Sequence, residues 1–185
     1  MPTPRSFRLV TLGATALAIV AASFVIVGRG RALGPARQDL VWTEAAWTMP
    51  LDNWGQGRAW RAVGPGGAEI RLFARTKTGF CNCFNGIADD VEIDRIGDVD
   101  LHGDNFQPLA PGEETAIGDL KGRERAFQIS GHWGSARQVL SIVAASDCKA
   151  VVATLVSDQA ILREARISAV ALLSSEPFRR WAADQ

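Results

Sequence analysis

Between Leu9 and Gly28 the chain runs for twenty residues without a charged side chain. As a helix rising ~1.5 Å per residue, such a run crosses a ~30 Å hydrocarbon core. It reads as a membrane segment or a signal peptide, so the globular fold must be made by the residues C-terminal to it. A signal peptide needs a small-x-small cleavage site soon after its apolar region. Here Gly28-Arg29-Gly30-Arg31 comes next, and Pro35 interrupts the next small pair. A retained anchor is therefore favoured over a cleaved, secreted form. Arg5, Arg8 and the terminal amine on one side nearly cancel Arg29, Arg31 and Arg37 on the other, so the positive-inside bias does not decide orientation. A short tip before one exported domain is the usual arrangement, and three cysteines suit an oxidising compartment. The expectation is a bacterial single-pass inner (plasma) membrane protein with its C-terminal domain in the periplasm. Residues 1–34 form the cytoplasmic tip and transmembrane anchor, 35–62 a Trp-rich linker leading into the domain, and 63–185 an α+β globular domain.

The 20 basic and 20 acidic side chains balance to a formal net charge of zero. Attraction to nucleic acid relies on clustered Lys and Arg, so nucleic acid is not an expected partner. The balance is uneven locally: seven carboxylates and one Arg lie between Asp89 and Asp104. Such a run reads as a solvated face, or as acids meeting Arg71, Arg75, Lys77, Arg123 and Arg125 across a sheet.

Periodicity predicts a mostly antiparallel sheet with helices supplied late in the chain. Glu69 to Lys77 alternates strictly, with Ile70, Leu72, Ala74 and Thr76 inward and Glu69, Arg71, Phe73, Arg75 and Lys77 outward, a strand with a basic outer face. Thr78-Gly79 bends the chain into Phe80-Cys81-Asn82-Cys83-Phe84, beside the turn Asn85-Gly86. Asp89 to Gly97, with an acidic cap and a closing Gly, predicts a short helix. Asp98 to His102 alternates as a strand would, with Val99 and Leu101 inward, and Phe106 to Gly118, rich in Pro, reads as loop. Arg123 to Ser130 is a strand with Arg125, Phe127 and Ile129 on one face. Arg137 to Ala145 and Lys149 to Val156 form a hairpin with Cys148 at its tip. Ala160 to Leu173 has helical spacing, and Ser175-Glu176-Pro177 starts a second helix that Phe178 and Trp181 would dock. Trp42, Trp47, Trp54 and Trp60 would cap the core.

Three cysteines and one histidine carry the candidate chemistry. Cys81 and Cys83, two apart on an extended chain, point to one side, so both thiolates could face a soft metal, whereas a bond between them would close a strained ring. A disulfide from Cys148 to Cys81 or Cys83, a copper or zinc site built from Cys81, Cys83, Cys148 and His102, and three reduced thiols remain open alternatives. No cofactor is the leading expectation. Asp98, Asp100, Gly103 and Asp104 approach a calcium loop, but His102 and Leu109 occupy ligand positions. There is no nucleophile elbow, phosphate loop or dinucleotide fingerprint. The leading reading is thus a membrane-anchored interaction or accessory domain without a catalytic motif, held by residues 9–28 and meeting a protein partner. The alternatives are copper or zinc handling or thiol exchange at Cys81, Cys83 and Cys148, and a hydrolase using the acidic cluster.

Overall fold

The computed structural model describes residues 40–79, 87–130, 136–146, 148–161 and 163–185. They belong to one compact unit, Gln38–Gln185. The run 9–28, expected as the anchor, lies outside the described residues. Among these, no helix is long and apolar enough to cross a membrane.

Among the described residues, the domain has an eight-stranded antiparallel sheet and three α-helices. The strands are β1 (Thr43–Ala45), β2 (Arg58–Val63), β3 (Glu69–Thr78), β4 (Phe106–Pro108), β5 (Glu113–Ile117), β6 (Leu120–Ser130), β7 (Ala136–Ser146) and β8 (Lys149–Ser157). The helices are α1 (Asp90–Ile96), α2 (Arg163–Leu173) and α3 (Glu176–Ala183). Across the sheet the order is β1-β2-β3-β8-β7-β6-β4, with β5 also paired to β6. β4 meets Phe127–Ile129 and β5 meets Leu120–Glu124, so the two short strands share one edge of β6 end to end. The expected antiparallel sheet and C-terminal helices are therefore present.

Central strands β7 and β8 are apolar almost throughout because both faces of the sheet are covered. On one face Leu72, Leu140, Ile142 and Leu155 pack against Ala165, Ala169 and Leu173 of α2 and Phe178 and Ala182 of α3. Small residues at i and i+4 on α2 let that helix approach the sheet closely. On the other face Val143, Ala150 and Val152 lie under Ile93 and Ile96 of α1. Beside them Phe73, Phe127, Val139 and Val156 lie under Val99, Trp47 and Met49.

Three expectations need correction. The stretch 35–62, expected as a linker leading into the domain, contributes β1 and most of β2, because Trp60 packs into the α2–α3 core while Ala59 faces the opposite cluster. Trp42 is likewise tied down, its Nε1 donating to Ser168 Oγ of α2 at 2.9 Å. The segment expected as loop, Phe106 to Gly118, contains β4 and β5. Asp98 to His102 is not a strand: Asp98 is left-handed (φ 56°) and Val99–His102 is a 3-10 turn. The electrostatic reason for that conformation lies beneath it.

Candidate functional site

The polar face of β3 is where the site is built. Arg75 and Lys77 stand two apart on the strand and so project to the same side. That side is buried: Arg75 is 1% exposed and Lys77 6%. On the face expected to be a basic outer one, Arg75 and Lys77 are interior while Glu69 and Arg71 stay exposed, which corrects the sequence expectation.

Two carboxylates from elsewhere in the chain make this tolerable. Arg75 donates through Nε and Nη2 to both oxygens of Asp98, each at 2.7 Å. It donates through Nη1 and Nη2 to both oxygens of Asp52, at 2.6 and 2.7 Å. Its last N–H reaches the carbonyl of Gly55 at 3.3 Å. All five guanidinium donors are thus used, in the fork geometry that lysine could not supply. Lys77 pairs with Asp98 and donates to the carbonyl of Ile96 at 2.9 Å. Two cations and two carboxylates thus cancel in one seam, Asp98 buried beside the cations and Asp52 meeting Arg75 from the surface.

Burial works against the charge of Arg75, but the hydrogen bonds from Asp98 and then Asp52 outweigh it and raise its pKa. In return, the Arg75 guanidinium holds the Asp52 carboxyl below the usual range. Asp98 must turn inward to serve both cations, and its left-handed backbone with the adjoining 3-10 turn accomplishes this; Asp is among the few residues that tolerate that conformation. Ser141 Oγ donates to the carbonyl of neighbouring Gly97 at 3.0 Å. A Cβ at Gly97 would lie 2.2 Å from Ser141 Oγ and 2.6 Å from the carbonyl oxygen of Ile93, so the end of α1 approaches the sheet as only glycine permits.

Other members of the acidic run meet the arginines of β6. Asp90 pairs with Arg123 at 2.7 Å and accepts from the backbone N–H of Gly112, while Asp94 pairs with Arg125 at 2.6 Å. The Gly112 N–H, then Arg123, hold the Asp90 carboxyl below its ordinary value. The acids therefore dock α1 onto the sheet, and Asp98, a member of the incomplete calcium pattern, has its carboxylate committed to Arg75 and Lys77.

His102 ends the 3-10 turn. Its Nε2 is hydrogen-bonded to Thr154 Oγ1 at 2.8 Å, and its ring lies 5.6 Å from that of Phe73. Burial, opposed by the Asp98 carboxylate and aided by Arg137, pushes its imidazole down to about 4. An unfolded chain takes up that proton near pH ~6.5. Between pH 6.5 and 4 the unfolded state binds the proton and the folded state does not, so stability falls with pH through that window and the effect levels off below it. From pH 8 to pH 5 the expected loss is ~2 kcal/mol. Urea unfolding should show it in the wild type and largely abolish it in His102→Gln; equal pH slopes in the two would refute it.

Cys148 sits at the two-residue tip between β7 and β8, where Ser146 pairs with Lys149, and has φ 64°. Its carbonyl accepts from the N–H of Gly79 at 3.2 Å, bringing the end of β3 to the tip. Cys81 and Cys83 lie outside the described residues. His102 does not join Cys148 in one site: its partner Thr154 is six positions along β8, about 20 Å at ~3.3 Å per residue. Among the described residues, no group of three or more His, Cys, Asp or Glu is arranged to hold a metal ion. Sequence reasoning names Cys148 and His102, and its reading that the acidic run meets Arg75, Lys77, Arg123 and Arg125 across the sheet is present in these pairs; what it misses is that Arg75 and Lys77 are buried and that Asp52 joins them.

No family model matches the chain, and no curated protein matches it. Among solved structures, the chain is similar to the crystal structure of LpqN, which is involved in cell envelope biogenesis of Mycobacterium tuberculosis. The two are 13% identical, the match covers 74% of this chain and 88% of that one, and the TM-score is 0.35. A likeness of that size carries no argument about this chain.

Proposed function

We propose that this chain is a membrane-anchored, extracytoplasmic interaction or accessory domain. What supports this reading is a disulfide assigned to Cys148, because such bonds persist in oxidising compartments and are rare in the cytosol. The uncharged run Leu9 to Gly28 supplies the tether in this reading, and Cys81 or Cys83 supplies the other sulfur, joining the end of β3 to the β7–β8 tip. That leaves one thiol of the three in the chain. The use of the buried charges supports a supporting rather than a reactive role, since Arg75, Lys77, Asp98 and Asp52 are committed to one another. A soft-metal site would need thiolates that the disulfide withdraws.

The test combines a topology reporter fused after Gln185 with alkylation of thiols, before and after reduction, on protein isolated from its native compartment. The expected result is an extracytoplasmic signal, one alkylated cysteine without reductant and three with it. A cytoplasmic signal with three thiols open to alkylation would overturn the proposal. One equivalent of bound copper or zinc with all thiols protected would replace it with metal handling.

A further inference from the structure

We propose that the sheet carries a binding cleft for a small zwitterion of amino-acid size, on the face opposite α2 and α3. A cavity of about 220 Å³ lies there, past the seam, where the cover supplied by Trp47, Met49 and the 3-10 turn runs out. At ~30 Å³ per water it has room for about seven waters, the scale of a free amino acid.

Register explains its chemistry. Phe73 pairs with Thr154 and Arg71 with Val156, so moving outward along β3 and β8 the face reads aromatic, then apolar and cationic. One step past the last pair, Ile70 with Ser157, the same alternation sets Glu69 beside Asp158, and Gln138 opposite Ser157 sets Arg137 beside Asp158 as well. Of these, Glu69, Arg71, Phe73, Arg137, Val156 and Asp158 line the cavity, with His102 on its wall. The floor is thus apolar, from Phe73 and Val156, and the rim holds two cations and two carboxylates.

The rim charges are paired with one another, Arg71 with Glu69 and Arg137 with Asp158. Both pairs are exposed, so opening either toward a ligand costs only ~0–1 kcal/mol. A dianion would meet two carboxylates and a dication two guanidinium groups. A zwitterion satisfies both signs: its ammonium fits between Glu69 and Asp158, its carboxylate takes Arg71 or Arg137, and an apolar side chain covers Phe73 and Val156. His102, neutral at physiological pH, adds no charge to upset the match. The proposal is independent of the side of a membrane on which the domain resides.

Titration calorimetry on the full chain in detergent micelles tests it, using three probes: L-leucine, 4-methylpentanoate, which lacks the ammonium, and isopentylamine, which lacks the carboxylate. Leucine is expected to bind saturably and both truncated probes at least ~10-fold more weakly, as expected when a charged contact is lost. Arg71→Gln and Asp158→Asn should each weaken leucine ~10-fold while the urea midpoint stays within the scatter of surface substitutions. No saturable heat with leucine, equal binding of all three probes, or unchanged affinity in both variants would each overturn the proposal.

Discussion

Replacing Arg75 with leucine is expected to destabilise the domain by ~3–5 kcal/mol, the range found when one partner of a buried ion pair is removed and the other left behind. The side chain is almost wholly buried and its donors are all engaged. Without it, Asp98 keeps only Lys77 in a site walled by hydrocarbon, and Asp52 loses the contact that draws its loop over the sheet. Arg75→Lys should recover less than half of the loss, because one ammonium cannot grip two carboxylates bidentately. Asp98→Asn keeps a side chain that accepts the left-handed backbone while removing the charge. Combined with Arg75→Leu, it should cost less than the sum of the singles by ~2 kcal/mol, a coupling expected of residues in one network. Urea unfolding of the four variants measures all of this. A loss below ~1 kcal/mol for Arg75→Leu, or strict additivity in the double variant, would show that the seam is not a cooperative unit.

Phe178→Ala should be comparably severe, at ~3–5 kcal/mol, by a different mechanism. Phe178 is 2% exposed and anchors α3, with its ring 5.9 Å from that of Trp60 and 5.3 Å from that of Trp181. An eight-residue helix is too short to persist without tertiary contacts, so the cavity and the undocking of α3 act together. Hydrogen exchange should accelerate over α3 before the rest of the sheet. Trp181, only partly buried, serves as the comparison: Trp181→Ala should cost clearly less. Equal losses from the two substitutions would show that the docking of α3 does not depend chiefly on the buried Phe178 ring.

Local pattern is a sound guide where one element answers to its own sequence. The alternation of Glu69 to Lys77 is β3, the two apolar runs around Cys148 are the β7–β8 hairpin, and the spacing after Ala160 is α2. The short helix α1 comes from its cap, for Asp89 Oδ1 accepts from the N–H of Glu92 at 2.9 Å and Glu92 reaches back to the N–H of Ala88 at 2.7 Å. Pattern misleads where an element is held by distant partners. Pro108 and Pro111 make the segment after Phe106 look like loop, yet β4 and β5 lie on an edge, where the missing N–H of a proline is tolerated.

By itself, then, the sequence determined the antiparallel sheet, the late helices and the two sides of each strand, because side-chain period is a property of the local backbone. Only the tertiary structure decided which side was inside. Arg75 and Lys77 could be buried because Asp52 and Asp98, twenty-three positions away from Arg75 in opposite directions, arrive to neutralise them. The cost of burying a charge depends on what else is nearby. That is a fact of three-dimensional packing, to which the periodicity of a single strand carries no clue.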